Sequence, residues 1–217
     1  MGGRSLALGA ALALASACLD APAQEEMEPE VVAGCPSAGS LADEFDEGAP
    51  SQVWQEFGAD DCDLSIASGR LELDTAARCG LASTGCYDLS DRWFQVDAAA
   101  PGPGLFFAIH LNDFGDDLVI AIDSGGQLAM QHVDPAGVAT TLTSLPFDPE
   151  IHQLWRVWHS ASENQIFFET SRRSAPAWSR LAELWLDGVS VRQVQVRLGA
   201  SETGGMVAFD SLHGVDL

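Results

Sequence analysis

Val191-Arg192-Gln193-Val194-Gln195-Val196-Arg197-Leu198 is the stretch on which the fold turns. Val194, Val196 and Leu198 fall at every second position, with Gln193, Gln195 and Arg197 between them. Successive side chains of a strand point to opposite faces, so this period of two describes a strand with one buried and one polar side. The same pattern extends outward along the chain. Arg70-Leu71-Glu72-Leu73-Asp74 alternates behind the turn pair Ser68-Gly69, which predicts a hairpin over 64–74. Ser124-Gly125-Gly126 predicts a second turn between strands at 118–123 and 127–132. Further strands are expected at 93–96, 105–112, 152–160, 165–171 and 206–212, while 177–187 suits either a helix or a strand. Many short strands separated by turn residues, with no fixed repeat, imply an all-β sandwich or jelly roll and argue against a propeller or solenoid.

The N-terminus has a different grammar. Arg4 is the only charge before Asp20, and the apolar run 6–14 follows it, closing on Ala15-Ser16-Ala17-Cys18. A positive start, a short apolar core and small residues before a cut site describe a secretory signal over 1–17. The run is shorter than the roughly 20 residues of a membrane-spanning helix; a buried cytosolic helix is the plainer alternative. Leu14-Ala15-Ser16-Ala17-Cys18 resembles the lipobox of bacterial lipoproteins, in which the cysteine becomes the lipidated N-terminus, although Ala15 stands where that family more often has Leu. The resemblance implies lipidation at Cys18, and Leu19 after it favours the outer membrane or cell surface. Cleavage near Ala17, giving a freely secreted protein, is the alternative. Residues 18–41 are acidic, contain proline and lack periodicity, as expected of a disordered tether. The domain is then expected over 42–217.

Cys35, Cys62, Cys79 and Cys86 remain, an even number in an exported chain, which reads as two disulfides with three connectivities. Cys62 with Cys79 would staple the ends of the 64–74 hairpin, leaving Cys35 with Cys86; Cys79 with Cys86 would close a short loop instead. A zinc site is the competing reading, but there is no C-x-x-C spacing and the histidines are scattered. The formal net charge is −22, and all basic residues are arginine. Such a chain repels nucleic acid, and any hold on a membrane would come through the lipid alone. A GC-rich genome or adaptation to high salt would each explain the missing lysine.

Several segments together carry a resemblance. Asp43-Glu44-Phe45-Asp46 with Trp54, then Ser68-Gly69-Arg70-Leu71-Glu72-Leu73, then Cys86-Tyr87-Asp88-Leu89-Ser90 resemble the opening of concanavalin A-like lectin/glucanase (laminin G-like) domains. His152-Gln153-Leu154-Trp155-Arg156-Val157, Phe168-Glu169-Thr170-Ser171 and Trp178 are similar to their late strands, and Val207-Ala208-Phe209-Asp210-Ser211-Leu212 to the closing strand beside the first. The resemblance implies a two-sheet antiparallel jelly-roll sandwich.

That superfamily includes glycosidases whose retaining members carry E-x-D-x-E on one strand. Glu72-Leu73-Asp74 begins like this motif, but Thr75-Ala76-Ala77 follows and the second glutamate is missing. Glu72 and Asp74 therefore read as the solvated face of a hairpin whose Leu71 and Leu73 point inward, and no catalytic residue is assigned. Related jelly rolls hold a structural Ca²⁺ near the first and last strands, which implies Asp46 and Asp210 as ligands; Asp60-Asp61-Asp63 and Asp113-Asp116-Asp117 are further oxygen donors. Sugar binding needs an aromatic platform. Trp155 and Trp158 are three apart on one strand, so one is expected in the core and the other exposed. His152 and His159 flank that strand and are expected at its surface. The resulting expectation is a lipid-anchored, non-catalytic module binding a glycan or cell-surface polymer. The alternatives are a divergent glycan-cleaving enzyme and an adhesion protein that binds proteins.

Overall fold

The computed structural model describes residues 34–46, 48–58, 62–186, 188–201 and 205–216. The expected signal, Cys18 and everything up to residue 33 lie outside the described residues, as do Asp60 and Asp61. The strands run in order as β1 Ala42–Asp43, β2 Trp54–Gly58, β3 Asp63–Ala67, β4 Arg70–Asp74, β5 Cys79–Ser83, β6 Arg92–Asp97, β7 Phe106–Leu111 and β8 Asp116–Ile122. They continue as β9 Gln127–Val133, β10 Ala139–Pro146, β11 Leu154–Ser160, β12 Gln165–Ser171, β13 Ser179–Trp185, β14 Val194–Ala200, β15 Val207–Phe209 and β16 Ser211–Asp216.

Two large sheets face each other. One has the order β1-β16-β6-β11-β12-β13 and the other β10-β9-β8-β7-β14-β5-β2, with a small sheet β15-β4-β3 beside them. Strand pairing is antiparallel throughout. This is the expected jelly-roll sandwich, with the third sheet as an addition. Phe94, Val96, Trp155, Val157 and Phe168 from the six-stranded sheet and Phe107, Ile109, Ile120, Val194 and Val196 from the seven-stranded sheet share one buried core. Val194, Val196 and Leu198 are fully buried, as their spacing required.

The segment 177–187 resolves as strand β13. The expected closing strand is in fact two: β15 pairs with β4, the chain passes Asp210, and β16 pairs with β6 and with β1, Ala42 opposite His213. The folded unit also begins earlier than residue 42, at Gly34. Ala38 and Leu41 are buried, Ala38 N–H donates to the Asp88 carbonyl, and Asp88 N–H donates back to Pro36. Gly214 accommodates this approach: a Cβ there would meet the Ala38 carbonyl oxygen at 1.7 Å. The expected tether therefore loses residues 34–41 to the fold.

Both disulfides pair as preferred, Cys35–Cys86 and Cys62–Cys79. Cys62 precedes β3 and Cys79 opens β5, so the second bond ties the small sheet to the seven-stranded one. Two disulfides point to an oxidising, extracytoplasmic compartment. Among the described residues no helix is long and apolar enough to cross a membrane.

Candidate functional site

Of the two candidate platform tryptophans, Trp155 is the one in the core and so is no ligand contact. Its ring is fully buried, lies edge-on to Phe209 with centroids 6.2 Å apart, and its indole N–H donates to the His152 carbonyl at 2.9 Å. Trp158 faces the other way, as the odd spacing required, onto the outward side of the six-stranded sheet between Trp93 and Phe167. It is not an open platform. Its ring stacks on Phe167 at 4.4 Å, and the Arg180 guanidinium lies 3.7 Å from the Phe167 centroid. Its buried indole N–H finds no acceptor among the described residues. Arg156 is held between Trp93 and Trp178, at 5.1 and 4.0 Å, and pairs with Glu169. This face is therefore largely covered by its own side chains, with Trp185 exposed at its edge strand.

The outward side of the seven-stranded sheet is different. Alternation on β7 sends Phe107, Ile109 and Leu111 to the core and turns Phe106, Ala108 and His110 outward. Register then brings Asp117 opposite His110, Val119 opposite Ala108, and Arg197 opposite Ala108 from the other side. Asp117 is 8% exposed and sits among one imidazole and two guanidinium groups: His110 Nδ1 at 2.9 Å, Arg197 at 3.1 Å and Arg78 at 3.8 Å. Arg78 reaches there from just before β5, and its guanidinium lies 4.8 Å over the Phe106 ring. Phe106 can lie flat on the sheet because Gly199 beneath it has no side chain; a Cβ there would stand 2.5 Å from the ring.

Beside this cluster lies an open depression of about 350 Å³, floored by Val119, Ala121 and Val133 and edged by Arg78, Gln131 and Ser124. An apolar floor with polar groups around its rim is the general form of a small-ligand site. The acids of this region are Asp117 and Asp123, six residues apart along extended chain. That is about 20 Å at roughly 3.3 Å per residue, beyond the ~5–9.5 Å between the two carboxyl groups of glycosidases.

Of the other expected residues, Glu72 lies on the outer side of β4 while Leu71 and Leu73 are fully buried. Asp210 meets Arg70 at 3.9 Å, and Asp46 Oδ1 lies 3.4 Å from where a Gly69 side chain would begin. No three His, Cys, Asp or Glu side chains gather into a metal site among the described residues. Asp116 is engaged with His132. His152 and His159 are not surface residues, being 6% and 5% exposed. Each accepts a backbone N–H at Nδ1, from Asp148 and Asp91 respectively. Burial pushes both imidazoles below the usual histidine pKa, against the opposing pull of Asp148 on one and of Asp91 and Asp88 on the other.

No family model and no curated protein matches the sequence. Solved structures match in fold. A Bacillus licheniformis beta-glucanase superposes with a TM-score of 0.58 at 11% identity, over 82% of this chain and 98% of its own. The legume lectin-like domain from Entamoeba histolytica gives 0.55 at 9%, over 76% and 91%. The VIP36 exoplasmic/lumenal domain in its Ca²⁺/Man3GlcNAc-bound form gives 0.52 at 11%, over 76% and 84%. The fold is thus the concanavalin A-like jelly roll that the sequence motifs implied. Glucanases and lectin-like domains share it, so the fold alone does not choose between cleavage and binding.

Proposed function

We propose that the chain is an extracytoplasmic, lipid-anchored and non-catalytic binding module that takes a glycan on the outward side of the seven-stranded sheet. The observation that carries this reading is the depression beside Arg78 and Phe106, with an apolar floor for the C–H face of a sugar ring and polar groups at its rim. Asp123 is the one acid lining it among the described residues, and Asp117 stands about 20 Å away along the strand, too far for the paired chemistry of a glycosidase. The lectin-like and glucanase structures of the same fold support a glycan as the ligand class. The anchor rests on Cys18 and the two disulfides agree with export.

The test is a glycan array probed with the full chain carrying Cys18→Ser, with and without EDTA. Binding that is lost in Gln131→Ala is expected, and silence on every glycan would remove the reading. Hydrolysis of any β-glucan, abolished by Glu72→Gln, would replace it with the enzyme. In cells, Cys18→Ser is expected to release the protein into a soluble fraction; retention in the membrane would remove the anchor.

A further inference from the structure

The geometry points to a narrower ligand class at this site: a sugar bearing a carboxylate, a uronide, whose charge is taken by Arg78. The inference rests on the glycan-binding reading above and narrows it. Four arginines of the body, Arg70, Arg92, Arg173 and Arg180, meet an acid that no other arginine meets; Arg92 meets Asp216 at 2.7 Å, for example, and Arg173 pairs with Asp97. Arg78 has no such partner to itself. It shares Asp117, at 3.8 Å, with His110 at 2.9 Å and Arg197 at 3.1 Å. One carboxylate faces two guanidinium groups here and Asp123 at the rim brings the face to balance, so Arg78 is a local cation in a chain that carries −22.

The guanidinium is also prepared for a ligand. Its side chain is 50% exposed, it lines the depression, and its guanidinium lies over the Phe106 ring at 4.8 Å. Among the described residues it makes an ion pair but no hydrogen bond, so its forked N–H donors are available. A planar carboxylate matches that fork in two parallel charge-assisted bonds. The other charged residue at the rim, Asp123, has one oxygen engaged in its turn, where it accepts the N–H groups of Gly125 and Gln127 at 2.8 and 2.9 Å. Val119, Ala121 and Val133 would then lie under the sugar ring, with Gln131 and Ser124 in reach of its hydroxyls. The distant acids of the chain do not forbid an anionic ligand, because salt near 0.15 M screens charges beyond about 8 Å.

The test is calorimetry on the full chain carrying Cys18→Ser, with digalacturonate, diglucuronate and dimannuronate, each beside its methyl ester and its neutral hexose counterpart. One uronide is expected to bind at least ten-fold more tightly than its ester. Arg78→Gln should bring the acid down to the ester and leave the ester unchanged, Arg78→Lys should fall between, and Arg192→Gln should alter neither. Equal affinity for acid and ester, or equal loss of both in Arg78→Gln, would overturn the inference. Binding of neutral glycans alone would overturn it while leaving the glycan reading intact. Silence across this panel and the array would remove both. The acid-to-ester ratio is measured on unsubstituted Arg78, so the outcome does not depend on the variants folding.

Discussion

Asp117 is the residue on which the charges of the outward face converge. It stands nearly buried among His110, Arg197 and Arg78, so neutralising it leaves two guanidinium groups facing each other over a hydrophobic sheet. Removing one partner of a buried ion pair costs about 3–5 kcal/mol, less at an open edge. Asp117→Asn is accordingly expected to lower the free energy of unfolding in urea by roughly 2–4 kcal/mol. Glu72→Gln, on an outer hairpin face, should stay within about 0.5 kcal/mol of the parent. His152 and His159 set a pH dependence of definite sign. Both have folded pKa values below the unfolded value of about 6.5, so in acid the unfolded chain takes up protons that the folded chain refuses. Stability is therefore undiminished above that value and is lost as the pH falls below it. The thermal midpoint should decline from pH 7 to pH 5, and His152→Gln and His159→Gln should each flatten that decline. An unchanged slope would show that the two rings are not its source.

Elements differ in how much of them could be read beforehand. Strands with one wet side announced themselves: β4 and β14 alternate, and their inward leucines and valines are buried as spaced. Strand β5 gave no such signal because all five residues of Cys79–Ser83 are buried, which erases the alternation. Strand β10 failed for the opposite reason, since Ala139–Pro146 is an edge with mostly exposed threonines and no apolar stripe. The cluster around Asp117 was hidden more deeply. Its members come from positions 78, 110, 117 and 197, and only pairing register brings them together; of these, Asp117 alone stood out, as an oxygen donor in an acidic run. The outward turn of His110 and Arg197 was implicit in the period of two, but not which strands would be neighbours. The disulfides offer a prediction at this scale. Cys35–Cys86 spans 51 residues and Cys62–Cys79 spans 17. Loop entropy grows as 1.5 RT times the logarithm of length, so the longer bond should contribute about 1 kcal/mol more. Denaturation of Cys35→Ser/Cys86→Ser against Cys62→Ser/Cys79→Ser measures that difference; the reverse order would mean that native packing, not chain entropy, governs the bonds.

For the whole molecule, Asp46 lies by the Gly69 turn and Asp210 pairs with Arg70, and chelation tests whether a cation joins them: a fall of the thermal midpoint in EDTA would place Ca²⁺ in the fold, and an unchanged midpoint would exclude it. The sandwich is otherwise stabilised by a core that both large sheets share. Its first residues have a consequence of a mechanical kind. Any pull delivered along the chain from upstream of Gly34 meets Cys35 one residue later, before it reaches the short pairing of β1 with β16. The covalent bond diverts that load to Cys86, between β5 and β6. Without it, tension would unzip β1 from β16 one hydrogen bond at a time; with it, the strain enters the middle of the body, where it must shear several strands together.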